Sequence, residues 1–283
     1  SYDINQHLIE YSSTSSHFEA MIVGLINTLL VAVAGIFLAT ILGFLLGIMR
    51  LSSNWLTQKI AYVYIEYIRN VPVLLHILLL YGVILNALPR PKSSYNLNDT
   101  FFLNNRGLQM PSPEFESLFW VVAAFLVGGL AFSLWFKRYA KKIQDATGKI
   151  YPVGMISIGA IVLLPMAVYF LIGSPIVWDV PALKGFNFKG GIVLRPEFIA
   201  LWLALSLYTA AFIGEIVRAG IIAISHGQTE AAQALGLSNS FILKLVVIPQ
   251  ALRVIIPPLT SQYLNLAKNS SLALAIGYMD VVA

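Results

Sequence analysis

The sequence predicts an all-α polytopic membrane protein. Of 283 residues, 58% are hydrophobic and 11% charged, with a mean hydropathy of +0.78; soluble domains carry roughly a quarter charged residues. Apolar runs of the length that crosses hydrocarbon, about 20 residues, recur along the chain. The formal charge of +5 is dispersed between those runs rather than gathered into a stripe, so it reads as topology and not as a nucleic-acid surface. The absence of cysteine excludes disulfides, thiolate catalysis and cysteine-held metal or iron–sulfur sites.

Seven candidate spans lie near residues 20–49, 60–88, 118–136, 152–173, 197–224, 246–266 and 271–283. The run from Met21 far exceeds a signal-peptide core of about 7–15 residues and is a retained helix. In the second run Pro72 has no N–H for the carbonyl of Ile68, which predicts a kink. Between the second and third runs, Pro89, Pro91, Pro111 and Pro113 predict an irregular segment over 89–116, and 174–196 is likewise rich in Pro and Gly. Neither reads as an independent domain. The last run is too short to span at about 1.5 Å per residue. Since the first residue is Ser1 rather than Met, the sequence is expected to be trimmed at both ends, its last helix truncated.

Orientation follows from Lys and Arg in short loops. The connection 137–149 holds Lys137, Arg138, Lys141, Lys142 and Lys149 and is expected in the cytoplasm. Counting spans from there places 1–19, with Asp3, Glu10 and Glu19 and no Lys or Arg, outside. The segments 89–116 and 174–196 also fall outside, and Arg50 to Lys59 and 225–245 inside.

Several chemistries have no support. The one Gly-Lys pair, Gly148-Lys149, is followed by Ile150, so there is no P-loop. His7, His17, His76 and His226 are scattered without H-E-x-x-H spacing. No nucleophile elbow surrounds any serine, and the chain is expected not to be an enzyme.

The informative segment runs from Gly227 to Pro258, GQTEAAQALGLSNSFILKLVVIPQALRVIIPP. Thr229 to Leu235 predicts a short helix, Gly236 can end it in the left-handed conformation, and Ser238 can cap the next helix. Small residues Ala231, Ala232 and Ala234 would admit a partner backbone, and Glu230 offers one charge for register. An interfacial amphipathic loop without a partner fits the same composition.

Glu230-Ala231-Ala232, Gly236 four residues later and Ile248-Pro249 twelve residues beyond that resemble the EAA motif of permease subunits of bacterial ABC importers. Tyr67-Ile68-Arg69-Asn70-Val71-Pro72-Val73-Leu74-Leu75, Gly214-Glu215-Ile216-Val217-Arg218-Ala219-Gly220, Pro249-Gln250-Ala251-Leu252-Arg253 and Lys268-Asn269-Ser270-Ser271-Leu272 resemble the polar amino-acid branch. Asn70 stands where Gly is common there, and Ser270 where Thr is common. An insertion of about 89–196 is similar to that of a permease subunit of the general L-amino-acid ABC importers.

The resemblance implies a type I importer permease fold, with five core transmembrane helices plus an inserted helix pair. Its segments would be 1–19 periplasmic, 20–88 core helices, 89–196 inserted, and 197–283 core helices carrying the cytoplasmic coupling loop 225–245. It also implies a bacterial inner-membrane location and a companion permease in a heterodimer. Two ATP-binding subunits would hold ATP and Mg, a periplasmic amino-acid-binding protein would deliver substrate, and this chain would bind no cofactor. Gln228, Glu230, Ala231, Ala232, Ala234, Leu235 and Gly236 are then the coupling residues through which ATP-driven closure tilts the spans.

Ionisable groups inside spans are functional candidates. Glu66 with Arg69, and Glu215 with Arg218, are spaced i to i+3, so each can be a structural ion pair, a substrate contact or a gate whose partners exchange between states. Asn70 beside Pro72 can line a pathway where the backbone breaks. Asn27, Thr28, Tyr208, Thr209, Gln262 and Asn265 can meet an amino-acid zwitterion or bond between helices; His76, in apolar surroundings, reads as structural. Two other readings stay open. One is a secondary amino-acid transporter driven by an ion gradient, although no inverted repeat is apparent. The other is a scaffold subunit whose companion holds the substrate.

Overall fold

The computed structural model describes residues 16–281; the expectations placed on 1–15, including Asp3, His7 and Glu10, and on 282–283 lie outside the described residues. Helix α1, His17–Arg50, opens with a capping box in which the Glu19 N–H donates to Ser16 Oγ at 3.3 Å and the Ser16 N–H to Glu19 Oε2 at 2.8 Å. Asn54 caps α2, Trp55–Asn70, by accepting from the Thr57 N–H at 3.1 Å. Pro72 then forces Val71 into extended backbone, and α3, Val73–Ala87, departs at 104° to α2. The kink expected within 60–88 is therefore a break.

The segment 89–116, expected to be irregular, contains four short strands: β1 Tyr95–Leu97, β2 Phe101–Asn104, β3 Gly107–Met110 and β4 Ser112–Phe115. Helix α4 runs Phe119–Thr147 and ends where Gly148 adopts φ +73. Of the basic residues expected in a 137–149 connection, Lys137, Arg138, Lys141 and Lys142 thus occupy the last turns of a helix, because no Gly or Pro falls within 137–147, and Lys149 follows its end. Helix α5, Val153–Ile158, continues through a wide π-type turn at Gly159–Leu163 into α6, Leu164–Leu171. Pro165 has no N–H for the Ile161 carbonyl, which accounts for the widening. Four more strands follow within 174–196: β5 Ile176–Asp179, β6 Ala182–Lys184, β7 Asn187–Lys189 and β8 Ile192–Leu194. The all-α expectation missed these strands because three or four residues are too few to show alternation. They form a four-stranded sheet of order β1-β2-β3-β8 and two antiparallel pairs, β4 with β5 and β6 with β7.

Helix α7, Pro196–Ile222, begins on a proline at its first position. Helix α8, His226–Ala234, precedes the single turn α9, Asn239–Ile242. A second wide turn, Leu243–Val247, sits just before Pro249 and leads into α10, Ile248–Asn269. Among the described residues five helices are long and apolar enough to cross a membrane, and α2 with α3 makes a sixth if the bent pair crosses once. The seventh expected run does not start a new helix. Ser270–Ile276 is a 3₁₀ continuation of α10 that ends at Gly277, φ +76. Beyond it the chain is fastened to α1: Asn27 Nδ2 donates to the Met279 carbonyl at 2.8 Å, Tyr278 Oη to the Asn27 carbonyl at 3.2 Å and the Val281 N–H to Thr28 Oγ1 at 3.2 Å.

The described residues divide into two compact units, one within 16–95, 102–108 and 193–281, the other of 96–101 and 109–192. In the first, α7 is the central helix. Gly35, Ala39, Gly43 and Gly47 recur every fourth residue on α1 and are buried, which lets the two backbones approach closely. An added Cβ at Gly43 would lie 2.5 Å from Ile213, and one at Gly47 2.6 Å from Val217. Ile77, Ile84, Leu201, Leu205, Ile255 and Leu266 complete the apolar core. In the second unit α4 packs on α5 and α6 through Gly129, where a Cβ would strike the Ala160 carbonyl, and through a 2.7 Å bond from Ser133 Oγ to Ser157 Oγ.

Candidate functional site

The surface helix is α8. It starts at His226, three residues earlier than the composition suggested, and its end is closed by two backbone bonds: the Gly236 N–H donates to the Gln233 carbonyl at 2.8 Å and the Leu237 N–H to the Ala232 carbonyl at 3.2 Å. This is the Schellman pattern, with Gly236 at φ +76 in the left-handed position. Ser238 stands at the expected cap position of α9, but its side chain makes no capping bond. The helix buries Ala232 at 5% exposure while Glu230, Ala231, Ala234 and Leu235, the last 81% exposed, face outward. Gln250 Nε2 donates to Gln228 Oε1 at 3.3 Å, tying α8 to the start of α10. The result is a short, anchored helix whose outer face sets Ala231 and Ala234 between Glu230 and Leu235, while Ala232, expected to meet a partner, packs inward instead.

The two Glu-x-x-Arg spacings have different outcomes. Arg218 holds Glu215, with Nε and Nη2 at 2.8 and 2.5 Å from Oε1, and Arg50 Nε lies 3.9 Å from Oε2. Glu66 and Arg69 form no ion pair. Helix α2 ends at Asn70, and the Arg69 guanidinium instead lies over the Phe212 ring, 5.4 Å from its centroid. Arg50 went unnoticed as a site residue because it closes α1; its signal was a lone cation in the last turn of a long apolar helix.

The break at Val71-Pro72 gathers a second group. His76 sits edge-on to Tyr67, with centroids 6.3 Å apart, and 5.9 Å from Tyr208, which lies 5.0 Å from Phe212. His76 Nδ1 bonds the Pro72 carbonyl at 3.2 Å, and its Nε2 is buried without a partner. Tyr208, Phe212 and Glu215 are spaced four and three residues apart and so share one face of α7. That face carries rings, a carboxylate and nearby guanidinium groups in sequence, the complement of a zwitterion with an apolar side chain. The signal for Phe212 and His76 was this helical period across two elements, which a reading of one segment at a time does not combine.

The remaining candidates lie elsewhere. Asn70 is exposed at the end of α2, and Pro72 precedes α3. On α10, Gln262 is half-buried and Asn265 exposed, neither bonding a side chain or backbone group, whereas their neighbour Tyr263 meets Thr40 Oγ1 at 2.7 Å. Asn27 and Thr28 secure residues 279–281, and Thr209 is buried. Among the described residues no group of His, Asp or Glu is placed to hold a metal ion.

The profile of the family described as "Binding-protein-dependent transport system inner membrane component" matches residues 33–281. The chain is 52% identical over 282 residues to the general L-amino acid transport system permease protein AapQ of Rhizobium johnstonii, covering all of this chain and 70% of that one. It is 50% identical over 282 residues to the putative amino-acid ABC transporter permease protein YhdX of Escherichia coli, covering all of this chain and 72% of the relative. A solved structure described as a crystal structure of an amino acid ABC transporter with histidines shares the fold, with a TM-score of 0.51 and 21% identity over 94% of this chain and 76% of that one.

Proposed function

Because the chain belongs to the family of inner membrane components of binding-protein-dependent transport systems, we propose that it is a permease subunit that carries L-amino acids inward by alternating access. The sequence holds no P-loop, so the energy is supplied by ATP-binding partner subunits, which hold ATP and Mg. The observation that carries this reading is α8. Its Schellman closure fixes an outward face of Glu230, Ala231, Ala234 and Leu235, while the Gln250–Gln228 bond links it to α10. A push on that face is passed to the helices on either side. The relatives give no support to an ion-gradient transporter.

Tyr208, Phe212, Glu215 and Arg218 on α7, with Arg69 and His76 at the break, form the translocation wall in this proposal. Guanidinium groups meet the substrate carboxylate, and Glu215 the ammonium. The chain pairs with a homologous companion permease and receives substrate from a binding protein outside, with residues before α1 on the periplasmic side.

The chain has no cysteine, so single cysteines test the coupling helix directly. Ala231→Cys and Leu235→Cys should cross-link to the ATPase subunit in the assembled transporter, more strongly after nucleotide is added. Absence of any cross-link from either position would overturn the assignment.

A further inference from the structure

The last turns of α4 carry rings followed by cations. Phe132 stacks on Phe136 at 5.7 Å and Trp135 on Tyr139 at 5.3 Å; Lys137, Arg138, Lys141 and Lys142 occupy the same turns. This order marks the boundary between hydrocarbon and water. Gly148 reverses the chain, and Tyr151 returns against Phe136, with centroids 6.1 Å apart, while Lys149 Nζ lies 5.2 Å from the Tyr151 ring centroid. Between α4 and the returning strand of chain is a cavity of about 380 Å³ lined by Lys137, Lys141, Gln144, Asp145 and Tyr151, with buried Ala140 as its floor. Lys137, Lys141 and Gln144 lie on one face of α4 by their spacing of four and three.

Neither lysine is within ion-pair distance of a carboxylate among the described residues; Asp145, four residues beyond Lys141 on the same helix, is the sole acid against five cations in 137–149. A requirement for positive charge at this end of the helix needs no cavity, and Arg138 and Lys142 would meet it from outside the pocket. Below the lysines Leu126, Leu130 and Leu134 are exposed along α4.

We propose that this cavity is a binding site for the phosphate of an anionic phospholipid, held by Lys137 and Lys141 with Gln144 as a neutral donor, its acyl chains lying along α4. Basic pockets between membrane helices recognise headgroups in this way.

The test is native mass spectrometry of the full transporter released from membranes containing phosphatidylglycerol and cardiolipin. K137Q/K141Q and R138Q/K142Q remove the same charge. The first should lower retained anionic lipid roughly tenfold, the second should leave it near wild type, and K137R/K141R should retain it. Equal loss in the two glutamine pairs would overturn the proposal in favour of bulk charge. Displacement of the lipid by millimolar inorganic phosphate would overturn it in favour of a free-anion site. Loss of a partner subunit with lipid retained would overturn it in favour of a protein contact. Should K137Q/K141Q fail to assemble, single K141Q against K142Q gives the same comparison.

Discussion

Gly236 is constrained by its backbone alone: at φ +76 it has no atom within 4 Å of an added Cβ. Gly236→Val should destabilise the turn by about 1–2 kcal/mol and abolish most substrate-stimulated ATPase activity, whereas Gly236→Asn should retain much of it, since Asn tolerates the left-handed region. Full uptake by the valine variant would contradict this role. At Glu215, removal of the charge leaves two partly buried cations, Arg50 at 15% and Arg218 at 30% side-chain exposure, without their counter-charge. Glu215→Gln should lower stability by about 1–3 kcal/mol, and Arg218→Gln should cost more than Arg50→Gln, because the contacts are 2.5 and 3.9 Å; thermal unfolding of the purified complex measures both. The Glu215–Arg218 pair was legible in the sequence as an i to i+3 spacing. The same spacing misled at Glu66 and Arg69, because spacing permits a pair but a helix end and a nearby ring decide it.

Among the elements, α1 and α7 meet through glycines with no room for a side chain. Gly47→Val would press on Val217, already 2.6 Å from an added Cβ, and should cost about 1–3 kcal/mol, read as a lower unfolding temperature. Gly82→Ala, with open space around it, should be near neutral. The break between α2 and α3 has one covalent cause, so Pro72→Ala should straighten the pair, move His76 from Tyr208 and reduce transport more than stability. Long apolar runs made α1, α7 and α10 legible, and Gly236 located the end of α8 correctly. Three kinds of feature were not legible. The strands of 89–116 and 174–196 are too short to show a period, α4 outran its apolar segment because its charged turns are still good helix formers, and the wide turns before Pro165 and Pro249 depend on a missing donor that hydropathy does not register.

For the whole molecule, the fold class followed from composition and run length, while the proposed coupling surface came from a motif that the structure places on a closed surface helix. The proposed translocation wall was only half legible: Arg69, Tyr208, Glu215 and Arg218 stood out as polar groups in apolar runs, but the rings beside them come from α2 and α3 on one side and from α7, more than a hundred residues further along the chain, on the other. If the bent pair crosses once, the orientation expected from the basic loops puts Ser94 outside and Lys142 inside. Lys142→Cys should then label with an impermeant maleimide only after the membrane is opened, and Ser94→Cys without opening it; the reverse pattern would contradict the orientation. The central claim, that ATP hydrolysis on partner chains drives amino-acid import through this subunit, is tested most directly by ATPase activity of the complete transporter in lipid, with and without its binding protein and a panel of L-amino acids. Stimulation that requires both binding protein and amino acid, and that Gly236→Val abolishes, is the expected result. Uptake that follows an imposed ion gradient with no dependence on ATP would contradict it.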